Sequence, residues 1–414
     1  MAISQGQASC SVPVTAKGGG GAGDVLAARL RGTPVPAYVL GGHEAGLAVV
    51  RSLGRAGIPV VVVTTTPTEH ARRSTAVSRT VTAPDPSAHA RDYVDVLVRL
   101  AATDGPGVVF PTTDEALEAV ALYRDDLARH HLVACSADDV ARTFLDKSLT
   151  SQVAAAAGVD APGTASPTSE AELDECIRRI GFPCLVKPRE SYRYHRAFGV
   201  KMKRADDADQ LRAAWREADA LGLGMLIQEL VPGPETAGVN YNVYMVDGEP
   251  LVEFTSRKLR LAPADFGYPC AVVTASVPEV VEPGRAIVRG MGIEGFANVE
   301  FKQDQRDGRY RLMEVNGRPN MSGQLAVHCG VDFPLLTYRH LVDGELPRPV
   351  TYPEGVYWID EARDPAAVAA RWRQGGTTAR TGAAPYRGSH VFATFSAADP
   401  VPFLSRMRAK LRGR

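Results

Sequence analysis

The chain has 414 residues, 45% of them hydrophobic, which is enough to bury large cores in two or three domains. Its 47 Lys and Arg residues balance 47 Asp and Glu residues, so no overall field draws it to nucleic acid or to an anionic membrane. No apolar run approaches the ~20 residues of a membrane span, and no signal peptide is recognisable at the N-terminus. Six scattered cysteines without a C-x-x-C pair indicate free thiols, and we expect a cytoplasmic protein.

Residues 1–33 are rich in glycine and small polar residues and are predicted to be a flexible tail. An apolar run at Val35–Leu40, two glycines, a helical pattern at Ala45–Ala56 and a second apolar run at Ile58–Val63 then predict a βαβ unit with a parallel sheet. The glycine spacing is not G-x-G-x-x-G and no acidic residue ends the second run, which argues against a dinucleotide site. The helix N-terminus remains suited to a small anion such as a substrate carboxylate.

A third strand is predicted at Val108–Phe110, running into the polar loop Pro111–Glu115. Loops at the carboxyl ends of parallel strands collect ligands. Simple N-capping by Thr112 or Thr113 is the alternative. A single helix is predicted over Phe144–Ala157.

Two lysines and a turn mark the next part of the chain. Lys147 lies in the helical pattern, and Lys187 ends the short strand Cys184–Pro188, where an inward ammonium needs an anion. The loop at residues 189–200 has one glycine and several Arg and Tyr residues. The strand in Met225–Glu235 leads into a Pro-Gly turn, the form of a hinge between two small sheets.

Asn240–Val246 and Glu249–Thr255 are predicted to form a hairpin with an Asp-Gly turn. The next segment, Ser256–Arg260, carries three cations. They form either a solvated basic patch or a group that stabilises charge on a transferred phosphoryl group. Arg257 and Lys258 directly continue the strand and are the candidates.

The most informative stretch is Phe296–Asn320, in which two alternating runs flank a polar turn. A hairpin centred near Asp307 places Glu300 opposite Glu314 and Asn298 opposite Asn316, all on one face. The other face takes Val299, Phe301, Met313 and Val315. Two facing carboxylates repel unless a cation lies between them, and with an amide oxygen beside them they suit Mg²⁺. A surface hairpin with solvated charges is the alternative, but the guanidinium of Arg318 beside the same edge suits an anionic ligand.

A helix at Gln324–Cys329 follows, with its N-terminus pointing at ligand charge. Cys270 and Cys329 fall near this predicted site, but the sequence places no histidine beside them to activate a thiol. Beyond Leu346, short strands are predicted at Val356–Ile359 and His390–Thr394. The final helix has an apolar stripe that we expect to pack on the core, formed by Phe403, Leu404, Met407 and Leu411.

The hairpin pattern N-V-E-F…L-M-E-V-N-G-R-P-N resembles the metal-binding end of the ATP-grasp superfamily of carboxylate–amine ligases. The pattern GG-x-x-A-G-L-A-V-V-R-S-L-G, with the later P-T-T-D-E, is similar to the N-terminal domain of D-aspartate-ligase-like members. The resemblance covers about residues 36–345 and implies an α/β protein with the ATP-grasp fold. After the predicted flexible tail at 1–33, it implies a Rossmann-like pre-ATP-grasp domain at 34–143 and an ATP-grasp domain at 144–350 with a hinged α+β nucleotide lid at about 183–232. Residues 351–414 are predicted from their own pattern to be a C-terminal extension packing on the core.

The same resemblance implies a site for ATP and two Mg²⁺ ions, with Mn²⁺ as a substitute. The metal ligands carried over are Glu300, Glu314 and Asn316. The nucleotide contacts are Lys147, Lys187, Ser191, Gln228, the main chain of Glu229 and Val231, Glu235 and Asn298. Arg257, Lys258 and Arg318 are the residues expected to act during transfer. The chain departs from relatives at Asn298, where they have an arginine whose role passes here to Arg318, and in the loop at 189–199.

The resemblance implies a ligase that activates a carboxylate as an acyl phosphate and joins it to an amine, such as that of an amino acid. Its partners would be ATP and these small molecules, with a homodimer as the expected assembly. A phosphotransferase on the same fold and a nucleotide-binding regulator without turnover are the alternatives.

Overall fold

The computed structural model describes residues 22–189, 194, 197–200, 202–264 and 266–412. The first sheet is built from β1 (Ala37–Leu40), β2 (Val60–Thr64), β3 (Val77–Thr82), β4 (Val108–Pro111) and β5 (Leu132–Val133). All neighbouring strands are parallel, in the order β3-β2-β1-β4-β5. The predicted βαβ unit is therefore present. Every residue of β1, β2 and β4 is buried because apolar clusters cover both faces of the sheet.

The helices around this sheet are α1 (Ala22–Leu30), α2 (Glu44–Arg55), α3 (Ala90–Thr103), α4 (Asp114–Leu122) and α5 (Arg124–Leu127), and His70–Arg73 forms a 3₁₀ turn. The predicted flexible tail at 1–33 is wrong for its last third, because α1 is ordered against the domain. Leu26 and Leu30 are buried in the same cluster as Tyr338 and Val342. The rest of the predicted tail, residues 1–21, lies outside the described residues.

Two helices, α6 (Asp138–Leu145) and α7 (Lys147–Ala156), lead to a small antiparallel sheet. The single helix predicted over 144–157 is interrupted at Asp146, whose side chain caps α7. The small sheet contains β6 (Thr164–Ala165), β7 (Cys184–Pro188), β8 (Lys203–Ala205) and β9 (Met225–Glu229) in the order β6-β9-β7-β8. Helices α8 (Glu170–Ile180) and α9 (Ala208–Asp219) pack on it around Trp215 and form a separate hydrophobic core.

The largest sheet has seven strands. They are β10 (Gly238–Val246), β11 (Glu249–Ala262), β12 (Tyr268–Thr274), β13 (Gly295–Gln303), β14 (Tyr310–Asn316), β15 (Tyr357–Ile359) and β16 (His390–Phe392), in the order β14-β13-β10-β11-β12-β15-β16. One face packs on α10 (Val281–Met291), α6 and α7. The other face carries the polar residues described below and, further along, packs on α11 (Gly323–His328) and α12 (Phe333–Asp343). Two 3₁₀ turns, Glu235–Ala237 and Pro278–Val280, complete this part.

The C-terminal segment is continuous with this sheet, because β15 pairs with β12 and β16 pairs with β15. Its helices are α13 (Asp364–Arg373), α14 (Ala379–Arg387) and α15 (Val401–Leu411). The apolar stripe predicted to pack in α15 does not do so as a whole, since Leu404 is 47% exposed and Leu411 is 84% exposed. Arg406 of α15 reaches inward, where it pairs with Glu44 and Asp360.

Buried ion pairs fasten this segment to the N-terminal domain. Arg51 of α2 donates to the carboxylate of Asp399 at 2.9 Å, and the same carboxylate accepts from Ser74 and Thr75. Arg406 lies 2.5 Å from Glu44 at the start of α2. Since the extension is also part of the seven-stranded sheet, it holds that sheet and the N-terminal domain together.

Among the described residues, no helix is both long and apolar enough to cross a bilayer. The described cysteines at 135, 176, 184, 270 and 329 are free. Burial raises the pKa of Cys329 to about 11 and also raises the pKa of Cys270. Both thiols therefore stay protonated at neutral pH, which argues against either as a nucleophile.

Candidate active site

The hairpin formed by β13 and β14 has the register that the sequence predicts at its functional end. Glu300 pairs with Glu314, and Asn298 pairs with Asn316. Val299, Phe301 and Val315 are buried on the opposite face. The prediction for Met313 was wrong, because a bulge after Glu300 pairs Phe301 with Leu312 and makes Leu312 the core residue.

Each of the two facing carboxylates is paired with a lysine. Lys147 Nζ lies 3.0 Å from Glu314 Oε1, and Lys258 forms an ion pair with Glu300. The sequence argument predicted Mg²⁺ beside these acids, and in the structure each acid is paired with a lysine side chain. Burial opposes the charge on Lys147, but Glu314 outweighs it and raises the pKa of Lys147 above its ordinary value. The four groups together are electrically balanced.

A row of amides fixes the orientation of Asn316. Asn316 Nδ2 donates to Asn298 Oδ1 at 3.4 Å, and Asn298 Nδ2 donates to Asn242 Oδ1 at 3.1 Å. Asn298 is fully buried, so its contact with a ligand would pass through Asn316. Within the described chain nothing donates to Asn316 Oδ1, which leaves an amide oxygen beside two carboxylates. These are hard oxygen donors of the kind that Mg²⁺ prefers.

The protein alone does not enclose a metal ion there. The described residues contain no group of three or more His, Cys, Asp or Glu side chains that could hold one. Two carboxylates and one amide oxygen fit a cation that takes its remaining ligands from water and phosphate, which is the usual behaviour of Mg²⁺.

The third lysine, Lys187, lies on β7 of the small sheet and is 6% exposed. It donates to Gln228 Oε1 on the adjacent β9 at 2.5 Å. Burial, together with the positive charge of Lys147, lowers the pKa of Lys187 to about 8. A buried ammonium whose partner is a neutral amide would be stabilised further by an anion, such as a phosphate, beside it.

A cleft of about 370 Å³ separates the small sheet from the hairpin. Its lining is Phe144, Lys147, Thr150, Ser151, Ala161, Pro162, Gln228, Leu312, Met313 and Glu314. The bulge that displaces Met313 from the core thus turns it toward this cleft. Apolar walls with a few convergent polar groups are the usual character of a small-molecule site.

The residues from Glu229 to Glu235, at the end of β9 and in the turn after it, are held by ion pairs and hydrogen bonds that the sequence did not predict. The Glu229 carboxylate lies 2.5 Å from Arg306, and the Val231 carbonyl accepts from Lys302 at 2.9 Å. Glu235 is ion-paired with Arg371 of α13, and its carboxylate also accepts from the Leu261 amide at 3.2 Å. No sequence pattern pointed to Arg371, which lies outside the part of the chain covered by the resemblance.

Arg257 and Lys258 are not brought together, because neighbouring strand residues face opposite sides of a sheet. Lys258 lies on the Glu300 face, whereas Arg257 reaches Tyr310 and the Thr236 carbonyl on the other face. Ser191 lies outside the described residues.

Arg318 joins the hairpin to the N-terminal domain. Its guanidinium donates to both carboxylate oxygens of Asp114, at 2.5 and 2.7 Å. Asp114 belongs to the loop predicted to collect ligands, and Thr113 of that loop also caps α4. The Gly41–Gly42 turn does not present an open anion site, because Glu69 accepts from the amides of Gly42, Thr65 and Thr66.

A small antiparallel sheet facing a larger one across a cleft, with lysines and paired acids beside that cleft, is the arrangement of the ATP-grasp fold. Residues 225–362 match the family model described as "ATP-grasp in the biosynthetic pathway with Ter operon". The chain has the ATP-grasp fold. The narrower D-aspartate-ligase-like branch stays a prediction.

Known proteins similar to this chain include a D-alanine–D-alanine ligase of Pseudomonas putida (strain GB-1), 26% identical over 219 residues. That alignment covers 49% of this chain and 65% of the relative's length. Among solved structures, N5-carboxyaminoimidazole synthetase from Staphylococcus aureus matches with a TM-score of 0.61 and 15% identity, covering 77% of this chain and 80% of that one. An L-amino acid ligase from Bacillus licheniformis matches with a TM-score of 0.59 and 18% identity, covering 74% of each chain.

Proposed function

We propose that this protein is an ATP-dependent ligase that activates a carboxylate as an acyl phosphate and joins it to an amine. The observation that carries the proposal is the pairing of Glu314 with Lys147 and of Glu300 with Lys258 beside the lid cleft. Acids and lysines that neutralise each other can exchange partners for Mg²⁺ and a polyphosphate without leaving a buried charge unpaired. The similarity to a D-alanine–D-alanine ligase and to an L-amino acid ligase supports the same chemistry.

ATP would lie in the cleft with its adenine between the lid and the bulged strand. Gln228 and the main chain of Glu229 and Val231 are proposed to contact the base, and Glu235 the ribose. Lys147 and Lys187 would bind the phosphates. Lys187 would gain the most electrostatic stabilisation from a phosphate, because its partner in the structure is the neutral side chain of Gln228. Glu300, Glu314 and Asn316 would hold Mg²⁺, which neutralises charge on the polyphosphate when bound. The number of ions and the use of Mn²⁺ stay predictions.

The reaction has two balanced steps. A substrate carboxylate oxygen attacks the γ-phosphorus of ATP, the bond to ADP breaks, and an acyl phosphate forms. The amine then attacks the acyl carbon, loses a proton, and phosphate leaves with the former carboxylate oxygen. Lys258 stabilises charge during phosphoryl transfer, and Arg318 stabilises the oxyanion of the second step while Asp114 fixes its direction.

The test is incubation of the purified protein with ATP, Mg²⁺ and pools of carboxylates and amines, followed by mass spectrometry. ADP together with an adduct lighter by one water than its two parts supports the ligase. A product heavier by one phosphate would instead indicate a phosphotransferase, and ATP binding without turnover would indicate a regulator. The expected homodimer and cytoplasmic location are separate predictions.

A further inference from the structure

A second pocket, of about 410 Å³, lies where the large sheet meets the N-terminal domain. Asn242, Phe254 and Phe296 line it from strands β10, β11 and β13, and Ala48 and Val49 line it from α2. Helices α11 and α12 contribute to its other walls. Among the described residues, three phenylalanines and no charged side chain line this pocket. Its interior therefore suits an apolar group.

The pocket continues the line of the proposed nucleotide site along β13. Every second residue of a strand lies on the same face, roughly 7 Å from the last. On this face, Lys302 reaches the turn proposed to bind adenine, Glu300 is a proposed metal ligand, and Phe296 lies at the pocket. Between the last two, Asn298 donates to Asn242, a residue of the pocket lining, at 3.1 Å. The pocket thus follows the metal position in the direction that leads away from the adenine.

One wall of the pocket is polar and adjoins the catalytic arginine. Pro319 and Asn320 follow Arg318 directly in the chain and line the pocket. Ser322 lines the same wall and is 5% exposed, and in the described part of the chain its hydroxyl has no hydrogen-bond partner. A buried hydroxyl without a partner would be stabilised by a hydrogen bond to a ligand. This wall and the apolar interior together match a molecule with a polar head and an apolar side chain.

We propose that this pocket binds the apolar side chain of the carboxylate substrate, an acid that carries an aliphatic or aromatic group close to its carboxyl end. The inference rests on the proposed ligase function and adds the chemical class of the acid. The carboxylate would lie between Glu300 and Arg318, and the side chain would extend toward Phe296. Ser322 would donate to a polar group of the same molecule. A polar side chain would lose its water in the pocket without gaining a partner, so acids of that kind are poor substrates.

The test measures which acids the full-length protein activates, without requiring the natural amine. Hydroxylamine attacks an acyl phosphate to give a hydroxamate and free phosphate, so hydroxamate and ADP together report activation of an acid. The probes are amino acids and simple carboxylic acids with methyl, isopropyl, isobutyl and benzyl side chains, compared with acids whose side chains carry a hydroxyl, a carboxylate or an ammonium group. The KM should fall about 4-fold for each methylene group that enters the pocket. Acids with polar side chains should be activated at least about 10-fold less efficiently.

Two variants change the size of the pocket in opposite directions. Phe296→Ala widens it and should shift the preference toward larger apolar side chains. Gly323→Val narrows it, and the fold should tolerate the change, because a Cβ atom at Gly323 meets only Asn320 Oδ1, at 3.7 Å. This variant should raise the KM for the largest apolar acids by roughly 10-fold and leave the smallest nearly unchanged.

Each variant has a matched control away from the pocket. Phe395→Ala removes a phenylalanine that is 39% exposed. Gly23→Val adds a side chain in the first turn of α1, where a Cβ atom meets Ala128 Cβ at an ordinary 3.5 Å. Both controls should leave the order of preference among the acids unchanged. The KM for ATP should stay the same in all four variants, which separates a change in the pocket from general damage to the fold.

The outcomes for the two proposals are distinct. If acids are activated but neither side-chain polarity nor the pocket variants matter, the pocket assignment is wrong and the ligase stands. If the variants change the preference among amines and not among acids, the assignment to the carboxylate substrate is wrong. If neither hydroxylamine nor pools of amines support ADP release, the ligase proposal fails. Calorimetry with the same acids then decides the inference, since binding that Gly323→Val weakens supports it and absence of binding overturns it.

Discussion

The ammonium of Lys147 lies 3.0 Å from the carboxylate of Glu314, although 167 residues separate them in the chain. The first residue of α7 and the middle of β14 are thereby joined beside the cleft. Both groups are proposed to take new partners when ATP and Mg²⁺ bind, so nucleotide binding would replace this ion pair.

Glu314→Ala should abolish turnover while leaving the fold intact. The variant removes one of two carboxylates available for Mg²⁺, and we expect ADP release to fall by at least about 10³-fold. Circular dichroism should be unchanged, and the exposed Glu345→Ala serves as the matched control. Near-normal ADP release by Glu314→Ala would contradict the metal assignment.

Lys187→Met should raise the melting temperature at pH 7 and at the same time remove the stabilisation that ATP gives. The folded pKa of Lys187 is about 8, below its ordinary value of 10.5, so the charged lysine is less favourable in the folded protein than in the unfolded chain. Between pH 8 and 10.5 the unfolded chain binds more protons, and wild-type stability rises with pH.

The advantage of Lys187→Met should therefore be largest below pH 8 and shrink toward pH 10. Thermal unfolding at several pH values, with and without ATP, measures both effects. A variant less stable than wild type at pH 7 would show that the hydrogen bond to Gln228 outweighs the burial of the charge.

Arg371→Ala should weaken ATP binding through Glu235. The arginine and the Leu261 amide fix the Glu235 carboxylate, so its loss should raise the KM for ATP by roughly 3- to 10-fold, as expected for one lost hydrogen bond. With 2′-deoxy-ATP, the KM of the variant divided by the KM of the wild type should be smaller than with ATP, because one proposed contact of Glu235 is already absent. An equal loss with both nucleotides would mean that Arg371 does not act through the ribose contact.

Asn298→Ala should change the response to Mg²⁺ rather than to ATP. It leaves Asn316 Nδ2 without its acceptor, at a cost of roughly 1–3 kcal/mol in the free energy of unfolding, whereas Asn242 Oδ1 still accepts from Asn320. With Asn316 free to turn, the Mg²⁺ concentration for half-maximal ADP release should rise several-fold. An unchanged Mg²⁺ dependence would remove Asn298 and Asn316 from the metal site.

The sequence was most informative where local periodicity decides the structure. Alternation together with a turn centred near Asp307 placed Glu300 opposite Glu314, and the apolar runs and glycine turn around residues 35–63 predicted the parallel sheet. The same alternation rule shows why Arg257 cannot share the face of Lys258, since β11 continues as a strand to Ala262. The bulge that moves Met313 out of the core depends on how two strands pair, and the sequence of neither strand indicates it.

Long-range pairs were the least accessible to sequence reasoning. Arg371 and Arg363 come from a segment without recognisable motifs, and their partners Glu235 and Glu44 are 136 and 319 residues away. A charged residue in an amphipathic pattern is usually exposed, so nothing in the sequence indicated that these arginines form ion pairs. The pairing of β15 with β12 and the packing of α13 on β11 and β12 place them beside these partners.

The way the extension fastens the molecule bears on the lid movement that we predict. Arg51–Asp399 and Arg406–Glu44 make the N-terminal domain and the large sheet one block. The small sheet has its own core and meets that block through more exposed pairs such as Arg189–Asp146 and Arg306–Glu229. Nucleotide entry and product exit would then depend on movement of the small sheet. A crosslink between the small sheet and the rest of the molecule should trap a nucleotide bound in the cleft.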